Sequence, residues 1–414
     1  MEVVFERCCG LDIHKQTITA CVITPGPGGG PRKEVQSFGT YTGELLRLAD
    51  WLSGQGVTHV AMESTGVYWK PVYNLLESSF TLLLVNARHV KAVPGRKTDV
   101  NDCAWLADLL RHGLLRASFV PDRPQRELRE LTRYRSSLVR EHSAEVNRLQ
   151  KTLEGANIKL ASVLSDITGV SGRAMVDALA GGSSDAEALA ELAVGKARNN
   201  LTKLQQALAG MVGAHQRFLI ARQLAHMDFL SATIEELDRE VAERMRPFAA
   251  ALERLDAVPG IGQRTAEVLV AELGTDMGQF PTAAHLASWA GMAPGNNESA
   301  GKRRSGKTTK GNRAVRVALT EAARAAARAK GSYLAARHAR LVVRLGTNKA
   351  TVAVGHTILT IVHHLLKAED SFYRELGAHY YDQRDSAALE RRLIRKLEQL
   401  GNQVTCERLT TAET

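Results

Sequence analysis

The chain has 414 residues, a length that suits two or three domains because one compact core rarely exceeds about 300 residues. Lysine and arginine outnumber aspartate and glutamate by 54 to 44, and this net charge of +10 favours a polyanionic partner such as nucleic acid. The five cysteines form no CxxC pair and no apolar run is long enough to cross a bilayer, so the sequence indicates neither a zinc module, a disulfide framework nor a membrane protein. We expect a soluble, cytoplasmic protein.

The N-terminal part has the pattern of an α/β domain. Val3–Ile13 and Thr17–Ile23 read as strands joined by a short polar turn, and a third strand follows around residues 33–38. An amphipathic helix, a buried strand over Val57–Met62, a second helix and an apolar strand over Phe80–Val85 continue the chain. Three antiparallel strands followed by alternating helices and strands predict a layered domain of the ribonuclease H type.

Four acidic residues are expected to meet in this domain. Asp12 lies in the first strand and Glu63 ends the fourth, while Asp99 and Asp102 lie three residues apart in the first turn of a predicted helix. Side chains with this spacing share one helix face, so the pair could bind a divalent metal ion. Acidic residues in a first turn also favour the positive end of the helix dipole without binding anything, and the pair alone leaves both readings open.

Long helices are predicted for the middle of the chain. One face of a long helix from Arg123 to about Leu160 carries Leu128, Leu131, Leu138, Val146, Leu149, Leu153 and Leu160. Farther on, heptad spacing relates Met227, Leu230, Ile234, Leu237 and Val241, with Ile220 and Phe248 in phase. We expect a coiled-coil arm through which copies of the chain associate. An antiparallel helical hairpin within one chain is the alternative.

Two later segments indicate contact with phosphates. The turn that contains Gly260 and Gly262 separates two predicted helices, as in a helix-hairpin-helix, and would expose amide groups to a phosphate; a tight turn without a ligand is the alternative. A long loop then carries two candidate nucleophiles, Ser299 and Ser305, and a basic helix follows it. A solvated run of charge is the alternative for this loop. Its basic residues are Lys302, Arg303, Arg304, Lys307, Lys310 and Arg313.

Together these motifs resemble those of the DEDD-type transposases of insertion sequences, a family also described as bridge-RNA-guided, serine-dependent recombinases. The order and spacing of the matching segments carry the resemblance over most of residues 7–370. The segments are Gly10–Lys15, Met62–Gly66, Lys97–Ala104, Pro259–Gly262, Gly291–Pro294, Ser299–Lys302 and Lys310–Asn312.

The resemblance implies a catalytic centre with two parts. A RuvC-like N-terminal domain would use Asp12, Glu63, Asp99 and Asp102 to bind two Mg²⁺ ions, with Mn²⁺ as the alternative ion, and Ser299 would be the nucleophile. It also implies donor and target DNA, a structured guide RNA, and a homo-oligomer, dimer or tetramer, in which the acids of one subunit meet the serine of another.

The predicted domains are a RuvC-like catalytic domain over residues 1–122, the long helices and coiled-coil arm over 123–250, an all-α transposase domain over 251–370, and a C-terminal helix and tail over 371–414. The tail beyond about Asp382 is less typical of the family.

Three other functions compete with this interpretation. A resolvase-like, metal-dependent, structure-specific endonuclease would use the same four acids with water as the nucleophile. An actin-like or sugar-kinase-like ATPase shares an aspartate on the first strand, but the second half of this chain lacks convincing phosphate-binding glycine turns. A non-catalytic RNA-binding protein would leave the four carboxylates unexplained.

Overall fold

A five-stranded mixed sheet forms the centre of the first of two structural units, residues 1–126 and 127–414. The computed structural model describes residues 2–28, 30–64, 66–86, 102–295, 297–299, 301–368 and 370–406. The strands are β1 (Cys8–Ile13), β2 (Thr17–Pro25), β3 (Pro31–Gly39), β4 (His59–Glu63) and β5 (Thr81–Val85). Their order is β3-β2-β1-β4-β5, antiparallel from β3 to β1 and parallel from β1 to β5. This topology agrees with the predicted ribonuclease H layout.

Helices cover both faces of this sheet. Because successive strand residues point to opposite faces, Cys9, Leu11 and Ile13 join one core with α1 (Thr42–Gly54) and α2 (Trp69–Leu76). The other face packs against α3 (Asp102–Arg111). The first strand is shorter than predicted. The segment before it instead donates backbone hydrogen bonds from Val4 and Phe5 to the Arg111 carbonyl.

The middle of the chain is helical, as predicted. It contains α4 (Arg123–Gly155), a 3₁₀ turn (Leu160–Ser162), α5 (Val170–Ala180), α6 (Ala186–Glu191), a second 3₁₀ turn (Gly195–Asn200), α7 (Leu201–Leu208) and α8 (Ala214–Met245). Ion pairs join α4 to α8 in antiparallel order, with 2.9 Å between Glu127 Oε2 and Arg244 Nη1 and 3.6 Å between Glu145 Oε2 and His226 Nδ1. The long helix ends at Gly155, short of the predicted Leu160.

The heptad positions of α8 are buried within a single chain. Met227, Leu230 and Val241 are each no more than 2% exposed, whereas Ile234 and Leu237 are half-buried. The intrachain antiparallel pairing that the sequence left open therefore accounts for the buried positions. Those side chains do not form a surface for a second copy in this structure, and homo-oligomerisation itself stays a prediction.

Leu230→Glu is expected to lower the free energy of unfolding by about 3 kcal/mol, because it places an ionisable group without a partner in the arm's core. Phe229→Glu is the matched control, since this neighbouring side chain is 66% exposed and should change stability little. Urea unfolding followed by circular dichroism measures both. Equal stability of the two variants, with light scattering showing dissociation only for Leu230→Glu, would instead favour an intersubunit seam.

The remaining helices surround α14 (Thr347–Lys367), whose residues Val354, Ile358, Leu359 and Val362 are fully buried. Among the described residues, no helix is long and apolar enough to cross a membrane. The other elements are a 3₁₀ turn (Arg246–Phe248), α9 (Ala249–Asp256), α10 (Gln263–Leu273), a 3₁₀ turn (Met277–Gln279), α11 (Ala283–Ala290), β6 (Asn297–Ser299), β7 (Lys302–Ser305), α12 (Arg313–Ala326), α13 (Tyr333–Leu345), α15 (Tyr380–Arg384) and α16 (Ser386–Gln399).

Two expectations for this region need correction. The segment predicted to be a long loop contains an antiparallel hairpin, β6–β7, and the region is therefore mostly helical instead of all-α. The strands are only three and four residues long, and glycines and charged residues surround them. They therefore lack the alternating apolar pattern by which a strand is recognised in sequence.

Candidate active site

Asp12 and Glu63 occupy neighbouring positions at the carboxyl ends of β1 and β4. These parallel strands pair Leu11 with Met62, and the next position in the same register places Asp12 beside Glu63. Neighbouring strands lie about 4.8 Å apart. Both acids point to the face of the sheet that α3 covers, because Gly10 and Ala61, two residues earlier, pack on that face.

Helix α3 brings its first residue, Asp102, to the same end of the sheet. A Cβ atom on Gly10 would lie 2.2 Å from the Cys103 carbonyl oxygen and 2.5 Å from the Ala107 nitrogen, so only glycine permits this approach of strand and helix. At its other end, the Arg111 carbonyl accepts the hydrogen bonds from Val4 and Phe5. The helix therefore runs antiparallel to β1 and begins near Asp12.

The charge of Asp12 reaches this helix start. Burial raises the pKa of the Cys103 thiol to about 11, and the negative charge on Asp12 adds to the increase. On its exposed side Asp12 has His14, whose Nε2 lies 3.3 Å from Asp12 Oδ2, and its own side chain is 34% exposed. The carboxylate is thus held by the sheet while remaining accessible to a cation and a substrate.

The described acids fit a magnesium site only in part. Mg²⁺ in proteins is bound by one or two carboxylates, water and substrate phosphates, and Asp12, Glu63 and Asp102 supply oxygen donors of that kind. Asp99, the fourth predicted ligand, lies outside the described residues. Within the part of the chain that is described, no group of three or more His, Cys, Asp or Glu side chains is close enough to hold a metal ion.

Ser299 is the last residue of β6 and lies at the tip of the hairpin. It pairs with Lys302, and Gly301 in the turn between them has a φ of +73°. The side chains of Ser299, Arg303 and Arg304 lie outside the described part of the structure. Those of Lys302, Lys307, Lys310 and Arg313 are exposed.

Ser305 lies at the base of the hairpin in a different environment. Its Oγ accepts a hydrogen bond from the Lys307 backbone N–H at 3.1 Å, and its side chain is half-buried. A hydroxyl that accepts such a bond stabilises the local turn. The geometry therefore gives Ser305 a structural role in the hairpin.

A pair of glycines fixes the stem of this hairpin. Gly291 has a φ of +67°, and a Cβ atom on Gly311 would lie 2.2 Å from the Gly291 nitrogen. Above this crossing, Gly295 N–H donates to the Lys307 carbonyl at 3.0 Å. Side chains on Gly291 or Gly311 would force the two chain segments apart and move the hairpin tip.

Two family models match the segments that carry these features. A DEDD transposase model of the IS110 type, described as "Transposase", matches residues 9–158, and a model described as "Transposase IS116/IS110/IS902 family" matches residues 252–339. The chain belongs to the IS110-type DEDD transposase family. The first match includes all four predicted acids of this family member, and the second includes Gly260, Gly262 and the serine hairpin.

Two relatives agree with this assignment. A "Probable family 20 transposase" of Pseudomonas aeruginosa is 27% identical over 320 residues, which cover 76% of this chain and 85% of the relative. An "Insertion element IS110 uncharacterized 43.6 kDa protein" of Streptomyces coelicolor is 56% identical over 45 residues, 11% of each chain.

The two glycines of the predicted helix-hairpin-helix have different surroundings in this transposase-family protein. Gly260 has a φ of +94°, and a Cβ atom there would lie 2.2 Å from the Ala322 carbonyl oxygen, so its lack of a side chain permits close packing on α12. Gly262 precedes α10 and has no neighbouring atom within 4 Å of the equivalent position. Phosphate binding at this turn stays a prediction, and Gly262 is the more accessible of the two residues.

A buried carboxylate that sequence reasoning missed connects the arm to the serine hairpin. Glu272, at the end of α10, is 0% exposed. Arg133 of α4 donates to it from Nε at 2.6 Å and from Nη2 at 2.8 Å, and Asn312 donates from Nδ2 at 2.7 Å. Asn312 lies seven residues after the last residue of β7 and caps α12 by accepting from Val315 N–H at 3.1 Å. Glu272 therefore ties the end of the hairpin stem to α4.

Glu272→Ala is expected to lower the free energy of unfolding by about 3–5 kcal/mol, because it removes the carboxylate to which Arg133 and Asn312 donate and with which Arg129 forms an ion pair. Urea unfolding measures this loss. Glu154→Ala is the control, since Glu154 and its partner Lys159 are both nearly half exposed and such surface pairs contribute at most about 1 kcal/mol. A loss for Glu272→Ala no larger than for the control would contradict the proposed link.

Proposed function

We propose that this protein is an insertion-sequence transposase that cuts and rejoins DNA with a metal-bound acidic site and a serine nucleophile. The observation that carries the proposal is that the strand register sets Asp12 beside Glu63 at one edge of a ribonuclease H-type sheet, toward which the first turn of α3 runs. Asp99 is assigned to the same site because it lies three residues before Asp102. Membership of the transposase family supports DNA as the substrate.

Asp12, Glu63, Asp99 and Asp102 would hold the metal ions, and Ser299 would perform the chemical step. Bound Mg²⁺ supplies positive charge that stabilises the phosphodiester oxygens during displacement. The Ser299 hydroxyl loses its proton as Oγ forms a bond to phosphorus, the bond from phosphorus to one sugar oxygen breaks, and the departing oxygen takes up a proton to become a hydroxyl, so that one proton is released and one is taken up. A hydroxyl of another strand then displaces the serine. One phosphate ester replaces another at each step, so rejoining needs no external energy source.

The hairpin supports Ser299 over Ser305 as the nucleophile. Ser299 lies at the tip, next to Lys302, whereas Ser305 Oγ already accepts a backbone hydrogen bond. Exposed lysines on the same hairpin can contact phosphates on either side of the cut. Such contacts position the DNA without reading its sequence.

We assign sequence choice to a structured guide RNA, and the assembly to a homo-oligomer, on the resemblance to serine-dependent, bridge-RNA-guided recombinases. The net charge of +10 agrees with binding both RNA and DNA. A resolvase-like endonuclease that activates water at the same acids is the second candidate, since the acidic edge of the sheet would suffice for hydrolysis.

A single reaction separates the two candidates. Purified protein is incubated with DNA that carries the element end and a target, the RNA transcribed from the flanking region, and either Mg²⁺ or a chelator. Rejoined DNA and a covalent protein–DNA adduct on denaturing gels, both dependent on Mg²⁺ and RNA, are the expected result. Free DNA ends with no adduct at any time point would support the endonuclease instead.

A further inference from the structure

A groove of about 410 Å³ lies beside Asp12 and has no part in the chemistry described above. It is lined by Ile13, His14, Lys15, Gln16, Thr17 and Tyr68. The turn between β1 and β2 forms one wall, and Tyr68, at the start of α2, forms the other. The groove therefore combines an aromatic ring, a lysine and a histidine within a few residues of a predicted metal ligand.

Hydrogen bonds hold the wall that the β1–β2 turn forms. In the turn, His14 N–H donates to the Thr17 carbonyl at 2.9 Å, and Thr40 Oγ1 donates to the Lys15 carbonyl at 3.1 Å. On the other side, Gly66 has a φ of +56°, and a Cβ atom there would lie 3.7 Å from the Tyr68 ring. Tyr68 is 41% exposed, so part of its side chain is free to contact a ligand.

We propose that this groove binds one nucleotide of the DNA strand that is cut, with its base stacked on Tyr68 and a phosphate at Lys15. The proposal rests on the proposed function, because His14, which lines the groove, lies 3.3 Å from the Asp12 carboxylate, so a nucleotide in the groove would lie near the scissile phosphate. Aromatic rings bind single-stranded bases by stacking, and a neighbouring ammonium group binds the backbone.

The groove, with a volume of about 410 Å³, is large enough for a single nucleotide. A base that stacks on Tyr68 must leave its own base stack. Separating one base from a duplex costs the DNA its stacking, and a protein ring that replaces this stacking favours the opened strand. The groove thus supplies a binding site for the strand that has been opened for cutting.

The test compares Tyr68→Ala and Tyr68→Phe with Tyr41→Ala, whose side chain is 86% exposed and lies outside the groove. Substrates carry an abasic nucleotide at one position at a time around the cut. We expect Tyr68→Ala to lower the cleavage rate on intact DNA about tenfold, and one abasic position to lower the rate of the wild-type protein by the same factor. In the Tyr68→Ala protein, that abasic position should cause no further loss. Tyr68→Phe and Tyr41→Ala should behave as the wild type does.

A binding measurement keeps this test independent of catalysis. The Asp12→Asn protein is titrated onto a series of DNAs, each with 2-aminopurine at a different position. Stacking on Tyr68 should quench the fluorescence at one of these positions. The double variant Asp12→Asn/Tyr68→Ala should show no such quench. If neither the wild-type protein nor any variant cuts DNA but the quench depends on Tyr68, nucleotide binding in the groove is supported and the proposed function is contradicted. Equal cleavage and equal fluorescence for Tyr68→Ala and Tyr41→Ala overturn the groove. If Tyr68→Ala unfolds, uniform wild-type rates along the abasic series overturn it equally.

Discussion

Asp12→Asn is expected to lower DNA cleavage in Mg²⁺ by at least about 100-fold, because a metal ion contributes several kcal/mol of charge stabilisation and asparagine lacks the charge that binds it. DNA binding should change little, since Asp12 contacts no phosphate directly. Cleavage on denaturing gels and binding by fluorescence anisotropy measure the two effects separately. Asp50→Asn is the matched control, an exposed acid on α1 at the opposite face of the sheet.

Glu63→Gln and Asp102→Asn are expected to have effects of the same size. The register places Glu63 beside Asp12, and the start of α3 places Asp102 at the same edge. Asp99→Asn tests the ligand that the sequence alone assigns. Near-normal cleavage by any one of these variants, with normal folding, would remove that residue from the metal site.

The positions of Asp12 and Glu63 at strand ends are predictable from sequence because the apolar pattern of a strand is a local property. The apolar runs around Asp12 and Glu63 identify two buried strands, and parallel neighbours end at the same edge. The sequence does not reveal how closely α3 packs on β1, which depends on Gly10 and its contact with Cys103 and Ala107. That contact joins residues far apart in the chain.

Heptad spacing illustrates a pattern with two structural solutions. An apolar stripe on α8 requires a partner helix, but spacing alone does not distinguish a second copy from an earlier segment of the same chain. Within one chain, the partner is α4, as the ion pairs between Glu127 and Arg244 and between Glu145 and His226 show. Those charges come from segments separated by the whole of α5 to α7, so no local window contains both partners.

The features that the sequence analysis missed depend on tertiary contacts. Glu272 lies near the end of an apolar helix, where a charged residue is expected to be exposed. It is instead buried by contacts with Arg133 of α4 and with Asn312, which precedes α12. Tyr68 forms a groove wall only because the β1–β2 turn lies opposite it. The hairpin depends on the close approach of Gly291 and Gly311, which the spacing of two glycines does not indicate.

The serine hairpin allows an internal comparison between two hydroxyls. Ser299 and Ser305 lie on the paired strands of one hairpin, but only Ser305 has a described hydrogen bond, from Lys307 N–H. Ser305→Ala removes that bond at a cost of about 1 kcal/mol and should leave catalysis nearly intact. The Ser305→Ala variant therefore shows how much a structural change in the hairpin, without loss of the nucleophile, affects the reaction.

Ser299→Ala is expected to abolish both the covalent protein–DNA adduct and strand exchange, because alanine has no oxygen to form the ester with phosphorus. Binding of DNA and RNA should persist, since the hairpin lysines and the acidic edge are unchanged. Gels run after denaturation, with end-labelled DNA, detect the adduct directly. Loss of the adduct only in Ser305→Ala would move the nucleophile along the hairpin and keep the mechanism. Cleavage that survives in Ser299→Ala, together with no adduct in the wild type, would contradict the recombinase mechanism, because water activated at Asp12 and Glu63 would then suffice to cut the strand.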